Sequence, residues 1–202
     1  MSDRIDSAHG RLEKQIEFIL EIDRLKTVLR RTSLTDGSRR ENSAEHSWHL
    51  AVMALLLSEY ADEDVDIQKV VKMVLVHDLV EIDAGDTFCY DAEASVGREE
   101  RERVAAARLF SLLPGEQGRE LTRLWEEFES RATPESRFAA ALDRMQPLLS
   151  NLATGGYSWQ KYGVVYRQVI ERTRSISDAS KELWGYMRSR LDKAVEDGLL
   201  AP

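Results

Sequence analysis

Three of the four histidines, His46, His49 and His77, lie in or beside apolar runs, and the last is followed at once by an aspartate in Val74-Leu75-Val76-His77-Asp78-Leu79-Val80-Glu81. Charged groups are costly to bury unless they are paired or bound to a metal. Imidazole with carboxylate is also a donor set that suits a divalent ion. Glu81 comes four residues after His77, which on a helix sets it over the same face. Downstream, Asp143 interrupts the apolar segment Phe138-Ala-Ala-Ala-Leu-Asp143, where it needs a partner, and Arg137 and Arg144 are close enough in sequence to offer a structural ion pair. Taken singly, each histidine reads as a buried side chain satisfied by a neighbouring carbonyl or carboxylate. Taken together, His46, His77, Asp78 and Asp143 supply imidazoles and carboxylates from three expected helices. Such a set holds one divalent ion (Mn, Fe, Co, Ni, Zn or Mg), which lowers the pKa of a bound water and supplies a nucleophile at neutral pH.

The elements that must carry these residues all read as helices, because no stretch alternates with period two and Ala, Leu, Glu and Arg abound. Apolar residues at three- and four-residue steps predict a first amphipathic helix over residues 8–29, with His9 near a solvated terminus. Residues 30–43, rich in Arg, Ser and Thr, read as a loop, long enough to suggest a function. A second helix begins near Ser43 as its cap and carries Glu45, His46 and His49; Glu45 reads as a cap or as orienting His46, and His49 as packing. Asp64 or Asp66 caps a third helix that runs to about Ile82 before Asp83-Ala-Gly85-Asp86 breaks it. Residues 87–96 read as an exposed connection, followed by a helix over 98–112 and another opened by Pro114. Thr133-Pro134 starts the helix that holds Asp143, and Gly155-Gly156 ends it. Residues 157–163 read as a loop before two last helices over 164–175 and 179–195; the aromatic cluster Tyr157, Trp159, Tyr162 and Tyr166 reads first as core or interface packing, with a pocket wall or a dimer contact as the alternative. With no repeat or linker, the expectation is one all-α domain over residues 1–202.

Composition narrows the function. Against 28 Lys and Arg stand 36 Asp and Glu, a formal net charge of -8, which argues against nucleic-acid or membrane-surface binding. A small anionic substrate in a locally positive pocket remains compatible with that charge. The lone Cys89 excludes an internal disulfide and suggests a reducing compartment. The apolar run of residues 50–57 is too short to cross a bilayer, and the first residues lack the layout of a signal peptide, so a cytoplasmic protein is expected.

The order His46 … His77-Asp78 … Asp143 resembles the H…HD…D signature of the HD-domain metal-dependent phosphohydrolases. More narrowly, Arg39-Arg40-Glu41-Asn42-Ser43-Ala44-Glu45-His46-Ser47, then His77-Asp78-Leu79-Val80-Glu81 and Gly85-Asp86, resembles the branch with the bacterial 5'-deoxynucleotidases. The resemblance covers residues 25–151 and implies an HD-domain helical bundle with His46, His77, Asp78 and Asp143 as metal ligands. It implies Glu81 as the catalytic glutamate that orients or deprotonates the attacking water and Asp86 near that water and the leaving group. Arg31 falls where the nucleotidases place a phosphate-binding arginine, and Arg40 belongs to the same basic segment. Thr32 stands where they have tryptophan, and Thr87-Phe88-Cys89-Tyr90-Asp91 replaces their proline-rich segment. The implied activity is release of phosphate from (deoxy)nucleoside 5'-monophosphates by a homodimer. The rivals are hydrolysis of a cyclic or signalling nucleotide and a non-catalytic metal-binding sensor or scaffold.

Overall fold

A long central helix, α7, organises the molecule because its sequence allows close approach on several sides. The computed structural model describes residues 2–91 and 93–202, with side chains described from residue 10 onward, so His9 lies outside the described side chains. Helix α1 is Ser2–Ile22, followed by a 3-10 turn Asp23–Thr27, and then by strands β1, Leu29–Ser33, and β2, Arg40–Asn42. The helices that follow are α2 Ser43–Leu57, α3 Ile67–Val76, α4 Glu81–Ala84, α5 Arg98–Phe110 and α6 Gly115–Ser130. They are completed by α7 Pro134–Ala153, α8 Tyr157–Tyr162, α9 Tyr166–Thr173 and α10 Lys181–Glu196.

Two departures from the sequence reading matter for the site. Residues 30–43 are not a loop: β1 and β2 pair antiparallel, with Leu29 opposite Asn42 and Ser33 opposite Arg40. The short strands are full of arginine, which hid them. Their turn closes through Leu34 N–H to Arg39 O at 2.9 Å, with Gly37 at φ 72°. Residues 157–163, also expected as loop, form α8 between Gly156 and Gly163, both in the left-handed region. Gly155 and Gly156 do end α7, as expected.

The main core joins Leu50, Met53 and Ala54 of α2, Val70, Met73 and Val74 of α3 and the α7 run Phe138–Leu142, with Met187 and Leu191 of α10 behind it. Ala139, Ala140 and Ala141 present so little side chain that α2 and α3 lie directly against α7. A second cluster, with Val76, Leu79, Leu109, Phe110 and Trp125, packs α5 and α6 under the segment that follows α3. That segment is held from both sides, which fixes the position of His77 and Asp78.

Candidate metal centre

Helix α2 starts one residue earlier than Ser43 suggests. Asn42 is the cap: its side chain accepts from Glu45 N–H at 2.9 Å while Glu45 accepts back from Asn42 N–H at 3.2 Å. Glu45 is therefore engaged in capping and in its ion pair with Arg39. The cap sets the helix phase, and Ser43, His46, Ser47 and Leu50 form its inward stripe, with His46 fully buried. Asp66, rather than Asp64, caps α3 by accepting from Gln68 and Lys69 N–H. After Val76 the chain tightens into a 3-10 turn, His77–Val80, whose four side chains are all buried. Glu81 thus opens α4 instead of continuing one helical face above His77.

Helix α7 brings Asp143 to these elements. His46 Nε2 lies 3.0 Å from Asp143 Oδ1, and His77 Nε2 lies 3.9 Å from the same oxygen. Ligand atoms of His46, His77 and Asp143 all fall within 4.8 Å of one another. Asp78 borders this group: its Oδ1 is 3.0 Å from His77 Nε2, and its Oδ2 is 4.0 Å from His46 Nε2 and accepts from Arg30 Nη1 at 2.9 Å. Neither neighbouring arginine answers the need of Asp143 for a partner. Arg137 bonds Glu63, and Arg144 donates to the carbonyls of Arg172 and Ala140.

The far ring nitrogens decide what the near ones offer. His77 Nδ1 lies 2.9 Å from Val74 O, and His46 Nδ1 lies 3.1 Å from Gln146 Oε1. Gln146 is oriented by its amide, which donates to Glu41 Oε1 at 2.7 Å. A carbonyl only accepts, so each Nδ1 carries the proton and each Nε2 presents a lone pair to the centre. His46 Nε2 and Asp143 Oδ1 are then two acceptors facing each other. A second proton on His46 does not resolve this, since burial, helped by the Arg30 charge, pushes its pKa down to about 3. His77 Nε2 is buried without a hydrogen-bond partner even though Asp78 Oδ1 is close. Acceptors converging with no proton between them fit a cation, and nitrogen and oxygen donors fit a divalent one.

Around this centre the other expected residues divide. Glu81 is buried and accepts from Ser43 Oγ at 2.6 Å; burial and the Asp78 charge hold its pKa well above the usual carboxylate range. Asp86 follows Gly85, whose φ of 76° turns the chain back to the site, and lies 3.8 Å from Arg30 Nη1. Arg31 leaves β1 on the opposite side from Arg30 and stacks over the Tyr162 ring at 5.2 Å. Arg40 is turned away from the cavity, its guanidinium donating to the carbonyls of Leu29 and Arg30 and tying β2 to β1.

Sequence reasoning missed Arg30 and Gln146. Over Leu29–Thr32 the burial alternates, with Arg30 and Thr32 more enclosed than Leu29 and Arg31, before Ser33 breaks the pattern; that alternation would have singled out Arg30 had the strand been read. Gln146 lies three residues after Asp143 and so over the same face of α7. Its amide also lies 3.3 Å from His49 Nδ1, which draws His49 into the polar network behind His46.

A cavity opens over His77, Asp78, Glu81, Asp86 and Asp143. Of the positions that depart from the nucleotidase pattern, Thr32, Thr87, Phe88, Cys89 and Tyr90 line it, and Asp91 does not. So do Trp159 of α8 and Arg172 of α9, which gives the last fifty residues a share in the cavity. Burial raises the Cys89 thiol above its ordinary pKa, the opposite of what a thiolate nucleophile needs.

The comparisons with known proteins agree with this geometry. A family model described as HD domain matches residues 22–184. The chain is 30% identical over 144 residues to the 5'-deoxynucleotidase HDDC2 of Homo sapiens, covering 71% of this chain and 69% of that protein. Similar identity, 30% over 144 residues, links it to the 5'-deoxynucleotidase HDDC2 of Dictyostelium discoideum, at 68% of this chain and 76% of the relative. Among solved structures, a predicted metal-dependent phosphohydrolase from Magnetospirillum magnetotacticum MS-1 superimposes with a TM-score of 0.91 at 55% identity, covering 96% of this chain and 100% of the other.

Proposed function

Because the chain belongs to the HD-domain family, we propose that it is a divalent-metal-dependent phosphohydrolase that releases phosphate from (deoxy)nucleoside 5'-monophosphates. One observation carries this reading: His46 Nε2, His77 Nε2 and Asp143 Oδ1 converge beside Asp78, with both histidines anchored through Nδ1. His46, His77, Asp78 and Asp143 would hold the ion, which when bound supplies Lewis acidity to the phosphate and to an adjacent water.

The chain's own residues manage the rest. Glu81, fixed by the Ser43 hydroxyl, orients the attacking water and takes its proton. Asp86 gives a proton to the ester oxygen as the phosphorus–oxygen bond breaks, so one water is consumed and an alcohol and inorganic phosphate leave. Arg30 and Arg31 approach from the two faces of β1 and neutralise the phosphate oxygens. Arg40 serves by bracing the strand that presents them.

A homodimer in the cytoplasm completes the proposal. Trp48, Leu55 and Leu56 stand more than half exposed on the outer face of α2, a supply of apolar surface for a second copy. No helix among the described residues is long and apolar enough to cross a membrane. Elemental analysis of the protein as purified, with phosphate release from deoxy- and ribonucleoside monophosphates under several added metals, tests the reading. Stoichiometric divalent metal with monophosphate turnover is expected. Turnover confined to cyclic nucleotides, or a tightly bound metal without any turnover, would overturn it.

A further inference from the structure

The cavity holds more arginine than a single phosphate requires. On the side of the metal centre, Arg30 is paired with Asp78 and Arg31 is stacked on Tyr162. Arg98 is paired with Glu102 at 2.6 Å. A further group, Arg131, Arg144 and Arg172, lines the cavity, and among the described residues no carboxylate lies within ion-pair distance of any of them. Glu129 lines the same cavity without pairing to them. Arg144 is only 7% exposed. It donates through Nε to Arg172 O at 3.1 Å and through Nη1 to Ala140 O at 3.2 Å, which leaves Nη2 without a hydrogen bond to a described residue. Asp143 is the leading counter-charge acting on it, and the like charges of Arg131 and Arg172 are both within electrostatic reach. Holding like charges together around a buried guanidinium is unfavourable unless an anion joins them.

The backbone at Arg131 adds an independent observation. Arg131 ends α6 at φ 52°, the one non-glycine residue with positive φ among those described. Glycine or asparagine ordinarily ends a helix this way, because a Cβ is disfavoured there. An arginine held in that conformation, with its side chain on the cavity wall, points to a role for the side chain that the helix end itself does not require.

We propose that Arg131, Arg144 and Arg172 form a second anion subsite, so that a nucleoside 5'-phosphate carrying a second phosphoryl group is held more tightly at this site than the plain monophosphate. The inference rests on the phosphohydrolase reading only for which phosphate is cleaved. The scissile phosphate lies at His77, Asp78 and Asp143 with Arg30 and Arg31, and the second phosphate is gripped by the unpaired guanidiniums, which are suited to bidentate contact with its oxygens. The departures at Thr32 and at residues 87–90 line this cavity, as a change of ligand from the nucleotidase pattern would require.

The test is equilibrium binding to the metal-loaded E81Q protein, with 5'-dAMP, 5'-dADP and deoxyadenosine 3',5'-bisphosphate as probes. One of the two-phosphate probes is expected to bind at least about tenfold tighter than 5'-dAMP, and which of them does so locates the second phosphate on the 5' chain or on the sugar. In that background, R131G and R172Q should bring the ratio of the dissociation constants close to one, while R103Q on the exposed face of α5 leaves it unchanged. R131G places the residue best suited to positive φ at that position, so its melting temperature should not fall and misfolding is separable from lost binding. Equal binding of all three probes, or a preference that survives both variants, would overturn the subsite. Phosphate release by the wild-type holoenzyme is read in parallel. If it fails on every probe while the two-phosphate preference persists, the hydrolase reading falls and the subsite stands.

Discussion

Gln146 accepts from the Nδ1–H of His46 at 3.1 Å from a position three residues beyond Asp143 on the same helix. Helix α7 therefore contributes both an oxygen donor to the metal centre and the group that orients an imidazole from α2. The Gln146 amide is set in turn by Glu41, whose carboxyl is pushed up to about 7 by burial even with Arg30 nearby. Such supporting hydrogen bonds fix ring orientation and raise the basicity of a ligand.

Gln146→Leu removes the acceptor while keeping a side chain of similar length. Metal affinity, read by competition with a chromophoric chelator, should fall roughly ten- to hundredfold. Wild-type affinity in this variant would show that the glutamine merely fills space.

Asp78→Ala should abolish both bound metal and phosphate release. It also leaves Arg30 buried with ion-pair partners only in Asp86 and Glu41, at 3.8 and 3.7 Å, so some loss of melting temperature accompanies it. Metal content by emission spectroscopy checks the first outcome, and wild-type turnover would sink the mechanism.

Glu81→Gln separates proton transfer from metal binding. The variant should keep its metal and its substrate affinity while kcat drops by about a hundredfold or more. If metal content falls along with kcat, Glu81 is a ligand and not a base.

Removal of the metal should cost stability, because an ion that binds only the folded chain adds RT ln(1 + [L]/Kd). At a hundredfold excess over Kd this is about 2.7 kcal/mol, or roughly 5–11 °C in melting temperature for a chain of this size. Differential scanning fluorimetry with and without chelator, followed by metal add-back, measures it. An unchanged melting temperature would mean that the acceptors at the centre are relieved in some other way.

Gly118→Ala tests the packing of α6 on α5. A Cβ at Gly118 would sit 2.4 Å from Phe110 O, a backbone atom that cannot swing aside. The clash should outweigh the gain in helix propensity and destabilise the fold by about 1–3 kcal/mol. Thermal melting at wild-type or higher temperature would contradict that contact.

How much of this was legible beforehand follows from what each signal depends on. The helices that carry His46 and Asp143, and α3 that leads up to His77, were readable because their apolar faces repeat at helical spacing and their caps are local, whereas the 3-10 turn that holds His77 and Asp78 was read as more of the same helix. Asp66 and Thr133 cap as expected, and only Asn42 displaced its neighbour Ser43. The β1–β2 hairpin was not readable, because five- and three-residue strands rich in arginine are defined by their pairing and not by apolar alternation. With the hairpin went Arg30, whose inward direction exists only once the strand is pleated.

The sequence by itself determined the ingredients: which donor residues the chain has, in what order, on which helices, and in surroundings too apolar for them to stand alone. Tertiary structure decided everything that depends on direction and distance across the chain. It set the tautomers of His46 and His77 through Gln146 and Val74, turned Arg40 away while bringing Arg30 in, and gathered Arg131, Arg144 and Arg172 from three separate segments onto one cavity. The reason is physical. Capping and periodicity are local properties of a few neighbouring residues, whereas electrostatic fields and hydrogen-bond geometry act between groups that come together only when the helices pack.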